Sequence, residues 1–184
     1  MLNTKWIIMP AEGGGTLPIA NPYYQGNAWF VNDIAFVNNA DEEIDALGKI
    51  DLHNQAVADK QFAPLLAGFS VTPKDSASSI WLESYDSNLF NYRVDAKKDE
   101  LAVFSEIYYP KGWQITIDEK PTTMLRANYT LRALPIPEGQ HEIVFKFDPP
   151  SIKITDTIAY IALAIMLLTA IVTVWKEIKA GLRS

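Results

Sequence analysis

The stretch TIAYIALAIMLLTAIVTVW, residues 157–175, contains no charged residue in 19 positions. As a helix that rises about 1.5 Å per residue it reaches about 28 Å, close to the hydrocarbon thickness of a bilayer. A helix buried in a soluble core usually carries a polar stripe, whereas the polar side chains here are three threonines and one tyrosine, which a membrane span tolerates. The stretch therefore predicts a transmembrane helix that anchors the rest of the chain.

The flanks of this helix predict its orientation. Three basic residues and one acidic residue follow it in the tail KEIKAGLRS (176–184), while Lys153 and Asp156 before it cancel each other. Because short cytoplasmic segments carry the excess of Lys and Arg, we expect the tail in the cytoplasm and the N-terminal domain outside. Residues 151–156 are expected to form a juxtamembrane linker between the domain and the span. A bacterial inner (cytoplasmic) membrane with a single span in this chain is the expected location.

A signal that would export the domain across the membrane is expected at the N-terminus. Its only apolar run, Trp6–Met9, is followed by Pro10 and is too short for the core of a signal peptide. We therefore expect the chain to be the C-terminal part of a longer protein. Upstream transmembrane helices of that protein would place the domain outside and would be its first partners, together with membrane lipid.

The composition excludes several classes of function. The net charge is −6, and without the tail 13 basic and 21 acidic residues remain, a net charge of −8, which argues against nucleic acid as a partner. The chain has no cysteine, so disulfides, thiolate metal sites and cysteine nucleophiles are excluded. His53 and His141 stand at no metal-ligand spacing, and no phosphate-binding or nucleophile-elbow motif is present. We therefore predict no catalytic, cofactor-binding or metal-binding residue and no cofactor.

Residues 1–67 have the pattern of a small α+β portion. A strand is expected near Thr4–Met9 and another over Ala28–Val37, the second interrupted at Asn32 and Asp33. Asn39, followed three residues later by Glu42, predicts a capped helix that ends near Gly48. The acidic run at its start reads either as a metal or acid–base cluster or, as we prefer, as a solvated helix N-terminus; its members are Asp41, Glu42, Glu43 and Asp45.

Residues 68–150 have the pattern of an all-β domain. Short strands separated by turn residues recur about every 8 to 12 residues, which is typical of an antiparallel sandwich. In one of them, Leu89–Val94, the residues Phe90, Tyr92 and Val94 share one face and alternate with Leu89, Asn91 and Arg93 on the other. The predicted fold is therefore mainly β: an antiparallel β-sandwich with a small N-terminal α+β portion and one C-terminal transmembrane helix.

One group of side chains has the composition of a glycan-binding surface. Sugars present apolar C–H faces and hydroxyl edges, so an aromatic platform flanked by carboxylates suits them. Alternation would equally place Tyr108 and Trp113 partly in the sandwich core, and a fully buried Trp113 would contradict this hypothesis. The candidate glycan contacts, around the Pro110–Lys111–Gly112 turn, are Glu106, Tyr108, Tyr109, Trp113 and Asp118.

Several stretches resemble the extracytoplasmic C-terminal region of the YfhO family of bacterial membrane proteins. They are NTKWII (3–8), NPYYQGNAWFV (21–31), ADEEIDAL (40–47), VFSEIYYPKGWQITID (103–118) and LRANYTLRALPIPEGQHEIVFKF (125–147), followed by a final helix. The resemblance implies a large, multi-helix inner-membrane protein related to GT-C glycosyltransferases, which take sugars from polyprenyl-phosphate carriers. In such enzymes the catalytic acidic residue lies in an early loop between N-terminal helices. This chain has no matching position, so whether it belongs to an enzyme stays open, and we expect the chain alone to be non-catalytic.

Two functions are carried forward from the sequence. The first is the outer accessory domain and last helix of a lipid-linked-sugar glycosyltransferase, with a role in acceptor binding or assembly. The alternative is a membrane-tethered carbohydrate-binding or structural envelope module without catalysis. Polyprenyl-phosphate sugar or cell-envelope glycan are the corresponding ligands.

Overall fold

A computed structural model describes residues 1–181, without the side chains of residues 177, 180 and 181, and divides the chain into two compact units. The first unit is residues 1–147 and the second begins at Asp148. The strands of the first unit are β1 (Trp6–Pro10), β2 (Thr16–Ala20), β3 (Ala28–Val31), β4 (Asp33–Val37), β5 (Gln55–Asp59), β6 (Ser79–Asp86), β7 (Leu89–Ala96), β8 (Glu100–Ile107), β9 (Trp113–Ile117), β10 (Lys120–Thr122), β11 (Leu125–Ala127), β12 (Leu131–Ile136) and β13 (Gly139–Phe147). The helices are α1 (Ala40–Leu47), a 3₁₀ helix (Lys60–Leu66) and, in the second unit, α2 (Pro150–Gly181).

Two antiparallel sheets form the sandwich, which confirms the predicted mainly β fold. One sheet has the order β10-β9-β13-β7-β6 and the other has the order β11-β12-β8-β3. Aromatic rings from both sheets meet edge-on between them: Phe104 of β8 lies 5.0 Å from Tyr92 of β7 and 5.0 Å from Phe145 of β13, measured between ring centroids. Burial of these large rings stabilises the two-sheet core.

The four-stranded sheet is buried on both of its faces. Its second face packs against β5 and the 3₁₀ helix, in a cluster that includes Trp29, Val103, Leu125, Ala58 and Leu66. Every residue from Glu100 to Phe104 in β8 is accordingly buried, and residues 101–104 form a continuous apolar run without alternation.

The five-stranded sheet, in contrast, covers the core with one face only. In β7 every second residue is buried, and the predicted face of Phe90, Tyr92 and Val94 is the inner one. Its outer face is open to solvent, which is where polar side chains collect.

The N-terminal portion, residues 1–67, packs on the sandwich. Strand β3 pairs with β8 of the sandwich, and β4 and β5 form a parallel pair joined by α1. Asn39 caps α1 as predicted: its Oδ1 accepts a hydrogen bond of 2.9 Å from the N–H of Glu42. The small portion therefore forms a third layer on the sandwich within the same compact unit.

The acidic start of α1 is not wholly a solvated helix end, and the interpretation of Glu43 needs correction. Glu43 is fully buried. Its Oε2 accepts from Nη2 of Arg126 at 2.8 Å and its Oε1 accepts from the backbone N–H of Tyr129 at 2.8 Å. The partners come from strand β11 and the following turn, so only the tertiary structure brings this ion pair together.

The hairpin of β1 and β2 pairs with no other strand of the described chain. Backbone bonds join Asn21 to Lys5 and Ala11 to Gly15, so alternate residues point their N–H groups outward. Pro10 and Pro18 occupy such outward positions, where a missing N–H breaks no bond of the pair and blunts both edges against further strand pairing.

Helix α2 has the length and composition of a membrane span. Its segment Pro150–Lys176, 27 residues with a mean hydropathy of 2.4, is the one helix of the described chain that is long and apolar enough to cross a bilayer. Residues 151–156, predicted as a linker, are helical and continuous with the apolar stretch, because Pro150 suits the first helical turn. Thr169 and Thr173 donate their hydroxyls back to helix carbonyls at 2.8 Å, which satisfies them in an apolar environment. Of the predicted tail 176–184, residues 182–184, which include Arg183, lie outside the described residues.

Candidate functional site

A row of four side-chain positions crosses the outer face of the five-stranded sheet. Trp81 of β6 stands opposite Arg93 of β7, and Arg93 stands opposite Glu142 of β13. The row continues to Asp118, which follows β9, because the N–H of Asp118 donates to the carbonyl oxygen of Glu142 at 2.9 Å. Four neighbouring strands thus deliver one aromatic and three charged side chains to one line.

Alternation explains why the tryptophan faces outward. Ile80 and Leu82 of β6 pack against the sandwich core, so Trp81 between them points to the other face. Its side chain is 50% exposed. A large aromatic ring that is half exposed among polar residues is a common feature of binding surfaces.

The row borders a groove with a volume of about 590 Å³, called here the sheet groove. It is lined by Ser79, Trp81, Arg93, Val94, Asp95, Asp118, Glu119, Gln140, His141 and Glu142.

Ion pairs hold the polar groups of the sheet groove in place. Nε of Arg93 lies 2.8 Å from Oε2 of Glu83, and its Nη1 lies 3.4 Å from Oε2 of Glu142. Both pairs are largely exposed, so their contribution to stability is small. Their effect is to orient a guanidinium and a carboxylate beside the tryptophan.

Asp118 and His141 form a second polar pair in the sheet groove. Oδ2 of Asp118 lies 2.6 Å from Nδ1 of His141, and its Oδ1 accepts from the N–H of Glu142 at 3.0 Å. The N–H of Glu142 and, second to it, the His141 ring hold the pKa of the Asp118 carboxyl below its ordinary value. Asp118 is therefore an ionised hydrogen-bond acceptor at neutral pH.

A tight turn places Asp118 at this position. Asp118 and Glu119 have φ values of 50° and 65° and connect β9 to β10. Positive φ at both central residues is the geometry of the two-residue turn whose twist matches an antiparallel hairpin. The turn directs both carboxylates to the end of the sheet groove.

The structure separates the five candidate glycan contacts predicted from the sequence. Asp118 lines the sheet groove, and Trp113 does not. The two residues lie at opposite ends of β9, about 16 Å apart at roughly 3.3 Å per residue. Glu106 and Tyr108 are half-buried, and Tyr109 is exposed outside the groove.

Trp113 is half-buried, and its ring contacts other side chains of the domain. The guanidinium carbon of Arg132 lies 4.2 Å from its ring centroid, and the rings of Phe90 and Phe147 lie 4.9 Å and 5.2 Å away. Alternation shows which residues of a strand share a face, but it does not show which face packs against the other sheet. The sequence therefore allowed Trp113 to be predicted as a sugar platform. Trp113 belongs to the packed side of the sheet.

Sequence reasoning missed the main members of the sheet groove, namely Trp81, Arg93, Gln140, His141 and Glu142. The segment Ile80–Leu82 reads as an uninterrupted apolar run, which hides the outward position of its central residue. The polar residues that alternate with apolar ones in β7 and β13 could have indicated which face of the sheet is exposed, and hence that Trp81 lies on it.

The described residues do not contain a group of three or more histidine, aspartate or glutamate side chains placed to hold a metal ion. The side chains that line the sheet groove offer hydrogen bonding and aromatic stacking.

Comparison with known proteins identifies one family. A family model described as bacterial membrane protein YfhO matches residues 73–159. No curated protein and no solved structure matches the chain significantly. The matched segment begins before β6, contains every residue that lines the sheet groove and ends within α2. The resemblance inferred from the sequence is thereby confirmed over residues 73–159, which match the YfhO family of bacterial membrane proteins.

Proposed function

We propose that this chain is an extracytoplasmic glycan-binding sandwich with a C-terminal membrane span, and that it presents an acceptor glycan to a lipid-linked-sugar glycosyltransferase. The observation that carries the glycan-binding part is the half-exposed Trp81 in a polar groove. The accessory role for a glycosyltransferase rests on the family resemblance. A membrane-tethered glycan-binding module without such an enzyme is the second candidate, and the same groove supports it.

The chemistry of the sheet groove suits a sugar. The Trp81 ring can stack on the apolar C–H face of a pyranose, and its burial on binding releases water from both surfaces. Around it, Arg93 donates hydrogen bonds and the carboxylates of Glu142 and Asp118 accept them. Pairs of planar polar groups bind neighbouring hydroxyls in a defined orientation, which adds specificity to the stacking.

Truncation of the aromatic ring tests the glycan-binding role. In the Trp81→Ala variant we expect affinity for glycans to fall by roughly tenfold to a hundredfold, because stacking and apolar burial are lost together. The measurement is an oligosaccharide array followed by calorimetry on the full chain in nanodiscs.

The matched control for this test is Tyr23→Ala. Tyr23 is 71% exposed and lies outside the sheet groove, so its loss removes an exposed aromatic without touching the proposed site. Equal glycan binding by wild type and the Trp81→Ala variant would contradict the proposal.

The outward orientation of the domain is part of the proposal and rests on the basic residues after the span. Lys176 and Lys179 follow the apolar stretch, and the positive-inside rule assigns them to the cytoplasmic side of the inner membrane.

A single introduced thiol tests this orientation, because the chain has no cysteine of its own. Ser87 lies in the exposed turn between β6 and β7, so a Ser87→Cys variant offers an accessible reactive group. In the bacterium that encodes the protein, we expect a membrane-impermeant maleimide to label Ser87→Cys in intact spheroplasts. A Ser184→Cys variant should be labelled only after lysis, and the reverse pattern would place the domain in the cytoplasm.

A further inference from the structure

The shape and charge of the sheet groove indicate the length and the charge of the glycan that it binds. We infer that it accepts an oligosaccharide of about three residues that carries no anionic group and lies across the strands. This inference rests on the proposed glycan-binding function.

The direction of the ligand follows from the sheet register. The row from Trp81 through Arg93 and Glu142 to Asp118 runs perpendicular to the strands. Neighbouring strands lie about 4.8 Å apart, so the two ends of the row are separated by about 14 Å, roughly the length of three linked pyranose rings. A single sugar stacked on Trp81 would leave the far end of the row, at Asp118, unused.

A second row gives the groove its width. Ser79, Asp95 and Gln140 stand opposite one another on β6, β7 and β13, two residues along from the first row. The side chains of both rows point to the same outer face, because residues two apart on a strand share a face. The floor of the groove therefore carries a hydroxyl, an amide and carboxylates over its whole length, which matches a chain of hydroxyl-bearing rings.

The charges of the sheet groove disfavour an anionic ligand. Its lining contains four carboxylates, those of Asp95, Asp118, Glu119 and Glu142, and one guanidinium, that of Arg93. The guanidinium is already paired with Glu83 and Glu142. A uronic acid or a phosphate would therefore meet like charge without a free cation among the lining residues to compensate, and such juxtaposition costs binding free energy.

The length and the charge of the glycan can be varied separately in a binding experiment. The full chain in nanodiscs is titrated by calorimetry with cellotriose, chitotriose and mannotriose, with their monosaccharides, and with trimannuronate, the uronate counterpart of mannotriose. We expect at least one neutral trisaccharide to bind in a Trp81-dependent manner. Its monosaccharide and trimannuronate should each bind at least about tenfold more weakly than that trisaccharide.

A charge reversal provides the second variant. Glu119 is exposed at the end of the groove, and in the Glu119→Lys variant the ratio of the affinity for the neutral trisaccharide to that for trimannuronate should fall at least about tenfold relative to wild type. Trp81-dependent binding in which the monosaccharide or trimannuronate matches the neutral trisaccharide would overturn this inference and leave the proposed function standing. Absence of Trp81-dependent binding to any glycan would overturn both.

Discussion

Replacing Arg126 with alanine is expected to lower the free energy of unfolding of the β-rich unit by about 3–5 kcal/mol, because it leaves a buried carboxylate without its cation. Glu43 is fully buried, and Nη2 of Arg126 is its only charged partner among the described residues. The guanidinium also lies 5.8 Å from the Phe62 ring centroid and 5.7 Å from that of Tyr129, so the substitution removes packing as well. The ion pair joins α1 to the sandwich, and its loss should loosen the N-terminal layer first.

A second arginine of the same domain is the matched control. Arg93 has two acidic partners but a largely exposed side chain, so Arg93→Ala should cost less than about 1 kcal/mol. Urea unfolding of the full chain in detergent, followed by tryptophan fluorescence, measures both variants. Similar small losses for the two arginines would show that the buried pair does not stabilise the layer. If the alanine variant fails to fold, Arg126→Lys, which retains the cation, should recover a folded protein.

Placing an arginine at the centre of α2 is expected to prevent stable insertion of the helix into a membrane. Leu167 lies near the middle of the predicted span, and an arginine at the centre of a membrane helix costs about 2.5–3.5 kcal/mol in insertion experiments. This cost corresponds to a roughly hundredfold shift in the insertion equilibrium. None of the span is buried within the described residues.

Insertion of the translated chain into bacterial membrane vesicles, followed by alkaline extraction, measures this effect. The Leu167→Arg chain should appear in the extracted fraction, whereas the apolar control Leu167→Ile should stay in the vesicles. Complete retention of the arginine variant would mean that α2 is not the membrane anchor.

Local patterns were enough to predict several elements from the sequence. The capped start of α1 depends on Asn39 and Glu42, which are three residues apart and form their hydrogen bonds within one turn. The alternation of β7 is visible in the sequence because one face of that strand is exposed to solvent. The sequence predicts β8 as a strand but does not predict that both of its faces are buried. An uninterrupted apolar run does not indicate which elements cover it.

The candidate site was less predictable than the fold. Asp118 was the one predicted contact that lines the sheet groove, since its turn is encoded locally. Trp81 and Trp113 both stand in strands of the five-stranded sheet, and which of the two rings is exposed depends on which side of that sheet packs against the other sheet. That choice involves strands elsewhere in the chain, such as β12, which brings Arg132 onto the Trp113 ring.

The sequence by itself determined the apolar helix, the mainly β character and the acidic balance of the chain, because length, periodicity and charge act within a short segment. The tertiary structure alone decided the order of strands in the two sheets, the burial of Glu43 against Arg126 and the assembly of the sheet groove. The physical reason is that these features depend on pairing between distant strands, whose register brings side chains together only when the sandwich closes around its core.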